Sequence, residues 1–163
     1  MNIFYLHQDP IKAAQYQYNK HVVKMILESA QLLCTAHLEL DGANAKVPYK
    51  STHKNHPSAI WTRESSSNYL WLYYHMIGLG LEYTKRYGKQ HKTIEKCKDI
   101  LKELPINIEN NGFNEPPQCM PDEFKRSNAI HGYWEYYLHG KKSIVNSNEV
   151  AYQAIPKTVT LGC

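Results

Sequence analysis

Polar residues recur with helical spacing along much of the chain, and the first long stretch with this pattern ends near Leu38. At about 100° per residue, its polar positions fall within roughly 80° of one another; they are Gln17, His21, Lys24, Glu28, Gln31 and Thr35. Nearly every other residue from 22 to 38 is apolar or small. A surface helix has a wider polar face than this, so the pattern predicts a central, mostly buried helix with one polar line.

The second long pattern covers residues 58–87 and has the same character. Its polar stripe, again roughly 80° wide, contains Glu64, Asn68, Trp71, His75, Gly78, Glu82 and Arg86. Gly78 and Gly80 weaken a helix, so their presence predicts a close helix crossing. Because unpaired charge is costly to bury, each polar line must face solvent, a hydrogen-bonded network or a cleft.

Two shorter helical patterns, at residues 93–104 and 122–138, complete the predicted elements. No sustained period-two alternation is present, and only residues 3–6 are compatible with a short extended piece. These patterns predict an all-α fold: a compact single-domain helical bundle with two long central helices and long loops at 39–56 and 105–121. The single domain is predicted to cover residues 1–163, a length sufficient for one core, with an irregular tail at 141–163.

Charge is unevenly distributed, although the formal net charge of +4 is small. The segment 42–63 carries lysines, Arg63, His53 and His56 but no acid, and the segment 84–92 is also basic. The segment 107–123 has four acidic residues and three prolines and lacks Lys and Arg. This distribution predicts a surface that meets an anion. The alternative is that these are ordinary solvated loops.

The chain has no apolar run of the roughly 18 residues that a membrane helix needs, and no secretory signal pattern at its start. We therefore expect a cytoplasmic protein. The four cysteines, none of which forms a CxxC pair, are expected to be free thiols. Signatures for a phosphate loop, a nucleophile elbow or a zinc site on a helix are also absent.

Candidate chemistry lies with the histidines and one tryptophan. His21 is one helical turn from Lys24 and two turns from Glu28, so it is either a general base tuned by its neighbours or a member of a hydrogen-bonded seam. His53 and His56 have the nearest approach to metal-ligand spacing, but they are also suited to surface or DNA contacts. Trp71 would either stack on an exposed base or belong to the core.

Four short segments resemble the pyrimidine-dimer DNA glycosylases of the endonuclease V-like family. They are "MNIFYLH" at the start, "KNHPSAIW" at 54–61, "EYTKRYGK" at 82–89 and "YWEYYLHGKK" at 133–142. The resemblance covers about residues 1–140. It implies a helical protein that binds duplex DNA at a basic concave face and needs no cofactor. In that family the N-terminal α-amine attacks a sugar C1′, the base leaves and an imine forms that leads to strand cleavage, with a carboxylate on the first helix assisting.

Carried over to this chain, the resemblance assigns the amine to Met1. The position of the family's glutamate is taken by Lys20 or His21, so the nearest carboxylates are Glu28 on the same helix and Glu64 on the second. The residues expected to contact nucleic acid are Lys20, Lys24, Lys50, His53, Lys54, His56, Arg63, Trp71, Arg86 and Lys89.

Three outcomes remain open at this point. In the first, Glu28 or Glu64 provides the carboxylate, and the glycosylase and lyase chemistry is retained. Alternatively, the fold serves another reaction, either on nucleotides with His21 as the base or as a metal-dependent phosphoester hydrolase with His53, His56 and a helix carboxylate. In the third case the protein binds nucleic acid or another protein without catalysis.

Overall fold

The computed structural model describes residues 2–141, and the first helix in this range is short. Helix α1 (Pro10–Gln15) begins at a proline, which has no N–H to leave unsatisfied, and Asp9 caps it by accepting from the N–H groups of Ile11 and Lys12. Its length of 6 residues is too short for a helical period to stand out in the sequence, which explains why α1 was not predicted.

Helix α2 (Asn19–Asp41) is the predicted central helix, and it packs against three other helices. Buried side chains occur around most of its circumference, including Val22, Ile26, Leu33 and Ala36. The helix ends at Gly42, whose φ of 60° lies in the left-handed region that glycine tolerates. The prediction of a mostly buried helix in this part of the chain is confirmed.

The second predicted helix is two helices in the structure. Helix α3 (Pro57–Glu64) and helix α4 (Ser66–Tyr87) are separated by Ser65, whose backbone is extended with φ −154° and ψ 143°. The Ser65 hydroxyl accepts from the N–H of Ser67, and it also accepts from the N–H of Asn111 in the acidic segment 107–123. A serine hydroxyl can bond nearby backbone N–H groups in place of the helical hydrogen bonds, which favours a break in the helix. The prediction of one continuous helix at 58–87 was therefore wrong at this residue.

The remaining helices are α5 (Lys92–Leu101) and α6 (Ala129–Glu135), and α6 continues as a π-helical turn over Tyr136–Gly140. The helix predicted at 122–138 thus begins only at Ala129. Asp122–Phe124 forms only a 3₁₀ turn, and the side chain of Asn128 caps α6. Residues 2–141 contain no β-strand, so the all-α prediction is confirmed for the part of the chain that the structure describes.

Residues 3–6, predicted as a short extended piece, have no regular secondary structure: the chain turns at Phe4, where the N–H of Leu6 donates to the carbonyl of Phe4 at 2.9 Å. The segment runs through the core. All four of its side chains are buried, and its backbone is held by tryptophans from distant helices. Trp134 donates from Nε1 to the carbonyl of Leu6 at 2.8 Å, and Trp71 donates to the carbonyl of Gln8 at 2.7 Å. The N-terminal segment is consequently packed between α4 and the aromatic helix α6.

The polar line of α4 docks against α1 and the residues that follow it. Gly78 permits a close crossing there, since a Cβ on it would lie 3.0 Å from the Cβ of Ala14. His75 bonds through Nδ1 to the carbonyl of Pro10 and through Nε2 to the amide nitrogen of Gln17, each at 2.9 Å. The predicted helix crossing at the glycines is therefore present, and this polar line serves as an internal contact.

The predicted tail at 141–163 lies, after residue 141, outside the described residues. Within residues 2–141, no helix has the length and apolar character needed to cross a lipid bilayer. The helices within this range pack into a compact structure around a shared core.

Candidate functional site

A polar depression of about 410 Å³ lies beside the first half of α2, and we call it the polar groove. Its lining residues are Asn2, Phe4, His21, Lys24, Met25, Glu28, His56, Cys119, Tyr136 and Lys141. Three members of the polar line predicted for α2 face this groove: His21, Lys24 and Glu28. Gln17 and Thr35 are used internally: Gln17 bonds His75, and Thr35 exchanges hydrogen bonds with the backbone of Thr52.

His21 is packed tightly at the base of the groove. Its ring stacks on that of Phe4 with centroids 4.2 Å apart, and its Nδ1 shares a 2.8 Å hydrogen bond with the hydroxyl of Tyr137. Burial lowers the pKa of His21 to about 3, and the positive charges of Lys141 and Lys24 add to this shift. His21 is therefore neutral near pH 7. A base so weak transfers protons poorly, which favours a hydrogen-bonding role over general base catalysis.

Glu28 presents a carboxylate to the groove. Its side chain is only 16% exposed, and Oε2 has no hydrogen-bond partner among residues 2–141. The ammonium of Lys24 lies 3.8 Å from Oε2, on a side chain that is mostly solvent-exposed. A buried oxygen without a donor is unfavourable in a folded protein. A hydrogen-bond donor on a bound group would satisfy this oxygen.

His56 joins the groove from the start of α3. Its Nδ1 accepts a hydrogen bond from the N–H of Ser58 at 3.1 Å, so this nitrogen carries no proton. Burial lowers the pKa of His56, and the ring is thus neutral with its proton on Nε2. His56 can therefore offer one N–H donor to a bound group. Its Nδ1 is not available to a metal.

The backbone of Phe4 has an unusual conformation that sets the shape of the groove. Its φ is 55°, in a region that bulky residues rarely adopt. Asn2 supports this conformation, because its Oδ1 accepts from the N–H of Phe4 at 2.9 Å while its Nδ2 donates to the carbonyl of Cys119 at 2.8 Å. Strained backbone of this kind clusters at functional sites. Neither the strain nor the contact with Cys119 has a signal in the local sequence.

Several residues proposed from sequence lie elsewhere. Glu64 is exposed and lines a separate depression beside Trp61 and Asn114, so it does not face His21. Trp71 is 8% exposed, and its ring stacks on that of His75 in the core. This burial argues against the predicted stacking of Trp71 on a nucleic-acid base, because little of its ring is exposed.

Arg86 is also unavailable for a phosphate. Its guanidinium bonds the carboxylate of Glu82, the carbonyls of Gln15 and Gln17 and the side chain of Asn19, and the side chain is 6% exposed. These contacts argue against the predicted contact of Arg86 with nucleic acid. Arg63 donates to the carbonyl of Lys54 and thereby holds the loop of the basic segment 42–63 against α3. The other predicted basic contacts are exposed; they are Lys20, Lys24, Lys50, Lys54 and Lys89.

Met1 lies outside the described residues, but Asn2, to which it is joined, lines the groove. His53 lies in a neighbouring pocket that shares Lys24 and Glu28 with the groove. No set of three His, Cys, Asp or Glu side chains within residues 2–141 is placed to hold a metal ion. The geometry of this range therefore gives no support to a metal site built on His53 and His56.

Comparisons with protein-family models, with curated proteins and with solved structures found no match. The structural class is thus defined by the fold: a helical protein with a polar groove between its central helix and its N-terminal segment. The groove combines a carboxylate, two neutral imidazoles and two lysines.

Buried neutral histidines make the stability of this protein dependent on pH. Burial lowers the pKa of His75 to about 4, and that of His21 to about 3, whereas both titrate near 6.5 in the unfolded chain. Below pH 6.5 the unfolded state therefore binds more protons. We expect the free energy of unfolding to fall with decreasing pH between 6.5 and 4, by about 1.4 kcal/mol per pH unit for each imidazole.

Urea unfolding at a series of pH values measures this slope. The variant His75→Gln should show a smaller slope than the wild type, because one of the two imidazoles is removed. An equal slope in both proteins would show that His75 does not contribute.

Proposed function

We propose that this protein is an enzyme that acts on DNA, and that the polar groove is its glycosylase and lyase site. The observation that carries the proposal is the carboxylate of Glu28, which lines a groove of basic and neutral donors. Within residues 2–141 its Oε2 has no hydrogen-bond partner and lies 3.8 Å from the ammonium of Lys24. The resemblance to pyrimidine-dimer DNA glycosylases requires a carboxylate on this helix. Glu28 supplies it about two turns after the expected position.

The proposed reaction begins with attack of an amine on the sugar C1′. The bond between C1′ and the base nitrogen breaks, the base leaves with the electron pair, and the attacking nitrogen loses one proton. The C1′–O4′ bond of the sugar ring then breaks, O4′ takes up a proton, and the nitrogen lone pair forms the second bond of a protonated imine. Glu28 would stabilise the positive charge that develops on the sugar. His21 and His56 are neutral and would donate or accept hydrogen bonds without adding charge. The resemblance assigns the amine to Met1, which is joined to the groove residue Asn2.

Positive charge around the groove would hold the phosphates of the duplex. Lys24 and Lys141 line the groove, and Lys125 lines a larger depression that shares His56 and Cys119 with it. Lys20 is exposed and lies one helical turn before Lys24 on α2. Ammonium groups of this kind bind phosphate in a way that salt weakens.

The test is trapping with borohydride. We expect the protein, in the presence of EDTA, to form a stable covalent adduct with a duplex that contains an abasic site, since reduction converts the imine to an amine. Lys24 provides the matched control, because its ammonium is the closest to Glu28 among the residues that the structure describes. The variant Lys24→Arg should still form the adduct, and peptide mapping should place it on the N-terminal peptide.

Two results would overturn the proposal. One is the absence of any adduct with abasic and ultraviolet-irradiated duplexes, which would leave binding without catalysis. The other is cleavage that requires an added metal and stops in EDTA, which would indicate phosphoester hydrolysis.

A further inference from the structure

The imidazole of His21 has a fixed orientation at the base of the polar groove. His21 is 6% exposed, and the ring of Phe4 covers one of its faces with centroids 4.2 Å apart. Within residues 2–141, its hydrogen bond runs through Nδ1 to the hydroxyl of Tyr137. The other ring nitrogen, Nε2, is therefore the one that His21 can present to the groove that it lines.

Tyr137 reaches His21 from the π-helical turn that follows α6. Turns of this kind occur frequently at functional sites, and this one places Tyr136 in the lining of the groove and Tyr137 in the core. The ring of Tyr137 stacks on that of Tyr18 with centroids 4.1 Å apart, and the Tyr18 hydroxyl donates to the Tyr137 carbonyl at 3.0 Å. Packing between residues 119 positions apart in the sequence thus fixes the Tyr137 hydroxyl.

The bonds of the Tyr137 hydroxyl indicate where its hydrogen points. The backbone N–H of Tyr18 donates to this oxygen at 2.6 Å, and a backbone N–H can only donate. Tyr18 immediately precedes α2, at a helix start where N–H groups have no helical carbonyl to bond. An N–H on Nδ1 of His21 would bring a second donor to the same oxygen. The 2.8 Å bond is matched instead by the phenol hydrogen and an unprotonated Nδ1.

This arrangement selects one tautomer of His21. Burial, with the positive charges of Lys141 and Lys24, lowers the pKa of His21 to about 3, so the ring is neutral and carries a single N–H near pH 7. If Nδ1 accepts from Tyr137, that hydrogen lies on Nε2. The bond made by one ring nitrogen thus decides what the other nitrogen offers to a ligand.

We infer that Tyr137 is a positioning residue that holds the N–H of His21 on Nε2, so that this histidine donates a hydrogen bond to the ligand of the polar groove. His56 has its hydrogen on Nε2 as well, because the N–H of Ser58 donates to its Nδ1. The groove therefore offers two neutral donors beside the carboxylate of Glu28. The inference rests on the proposed function for the nature of the ligand, whose acceptors are the oxygens of a deoxyribose and its phosphates.

Long-range proton–nitrogen correlation NMR on the full chain measures the tautomer, because it distinguishes protonated from unprotonated ring nitrogens. The variant His21→Gln identifies the His21 signals among those of the 9 histidines. We expect the wild type to show its hydrogen on Nε2 and a hydrogen-bonded, unprotonated Nδ1. In Tyr137→Phe the Nδ1 signal should move to that of an unbonded nitrogen, and the second tautomer should appear. The control Tyr18→Phe removes a hydroxyl from the same stack but keeps the Tyr18 N–H, so it should retain the wild-type tautomer.

Two further measurements test the role of this donor. The ligand probe is a duplex in which a tetrahydrofuran replaces one nucleoside; it keeps the ring oxygen and cannot form an imine. We expect it to shift the Nε2–H signal of His21 more than an undamaged duplex does. On an abasic duplex, Tyr137→Phe should form the borohydride-trapped adduct about tenfold more slowly at saturating protein, the effect of losing one oriented hydrogen bond. Tyr18→Phe should react as the wild type does.

A hydrogen on Nδ1 of His21 in the wild type overturns the inference, and this result does not depend on whether Tyr137→Phe folds. The inference also fails if Tyr18→Phe changes the His21 signals as much as Tyr137→Phe does, or if an altered tautomer leaves the rate of adduct formation unchanged. The probe duplex separates this inference from the proposed function. Adduct formation without a shift of the Nε2–H signal refutes the donor role alone, and the shift without any adduct refutes the lyase chemistry alone.

Discussion

Replacing Glu28 with Gln is expected to slow formation of the borohydride-trapped adduct on an abasic duplex by at least about 100-fold. Glutamine keeps the size of the side chain and removes its negative charge, which is the property that the proposed mechanism uses. Single-turnover rates at saturating protein measure the effect. Because Oε2 has no hydrogen-bond partner in the described range and Lys24 is mostly exposed, the free energy of unfolding should change little.

Glu64→Gln is the informative comparison for this prediction. Both carboxylates were candidates from the sequence, but the structure places Glu64 in a separate depression beside Trp61. Its replacement should leave the rate of adduct formation unchanged. A loss of rate in Glu64→Gln with none in Glu28→Gln would reverse the assignment, and normal rates in both would remove the carboxylate from the mechanism.

Arg86→Met is expected to lower the free energy of unfolding by about 3–5 kcal/mol, the cost typical of breaking a buried ion pair from one side. The Arg86 guanidinium lies 3.0 Å from Oε1 of Glu82, and both side chains are less than one tenth exposed. Without it, the Glu82 carboxylate and the carbonyls of Gln15 and Gln17 lose a shared donor group. Urea unfolding at pH 7 measures the change.

Lys85→Met is the matched control, because Lys85 precedes Arg86 on α4 and is exposed. Its effect on the free energy of unfolding should stay within about 0.5 kcal/mol. If Arg86→Met were as stable as this control but bound DNA more weakly, Arg86 would be a phosphate contact after all. The two variants together separate a structural role from a binding role.

The polar lines of the two long helices show how far the sequence can be interpreted. Both were expected in mostly buried helices, because the period of 3.6 residues is a local property of the chain. The expectation is confirmed for α2, and for the second line apart from the break at Ser65 between α3 and α4. The two polar lines face different surroundings, however. The line on α2 opens through His21 and Glu28 onto the polar groove, while that on α4 meets the backbone around α1 through His75 and Arg86. The two patterns look alike in the sequence.

The basic, histidine-bearing loop illustrates the same limit in the candidate site. Its histidines were suspected, and His56 and His53 do line adjoining depressions. Their protonation and tautomers depend on contacts such as the bond from the N–H of Ser58 to Nδ1 of His56. The groove also depends on Asn2, Phe4 and Cys119, which are brought together from segments more than 100 residues apart.

The sequence by itself determined the helical class, the central place of α2, the helix crossing at the glycines and the basic character of the loops, since these follow from periodicity, backbone freedom and composition. The tertiary structure alone decided the break at Ser65, the burial of Trp71 and Arg86, the separation of Glu64 from His21 and the neutral state of that histidine. The physical reason is that burial, hydrogen-bond partners and pKa depend on which distant segments pack together, and no local pattern contains that information.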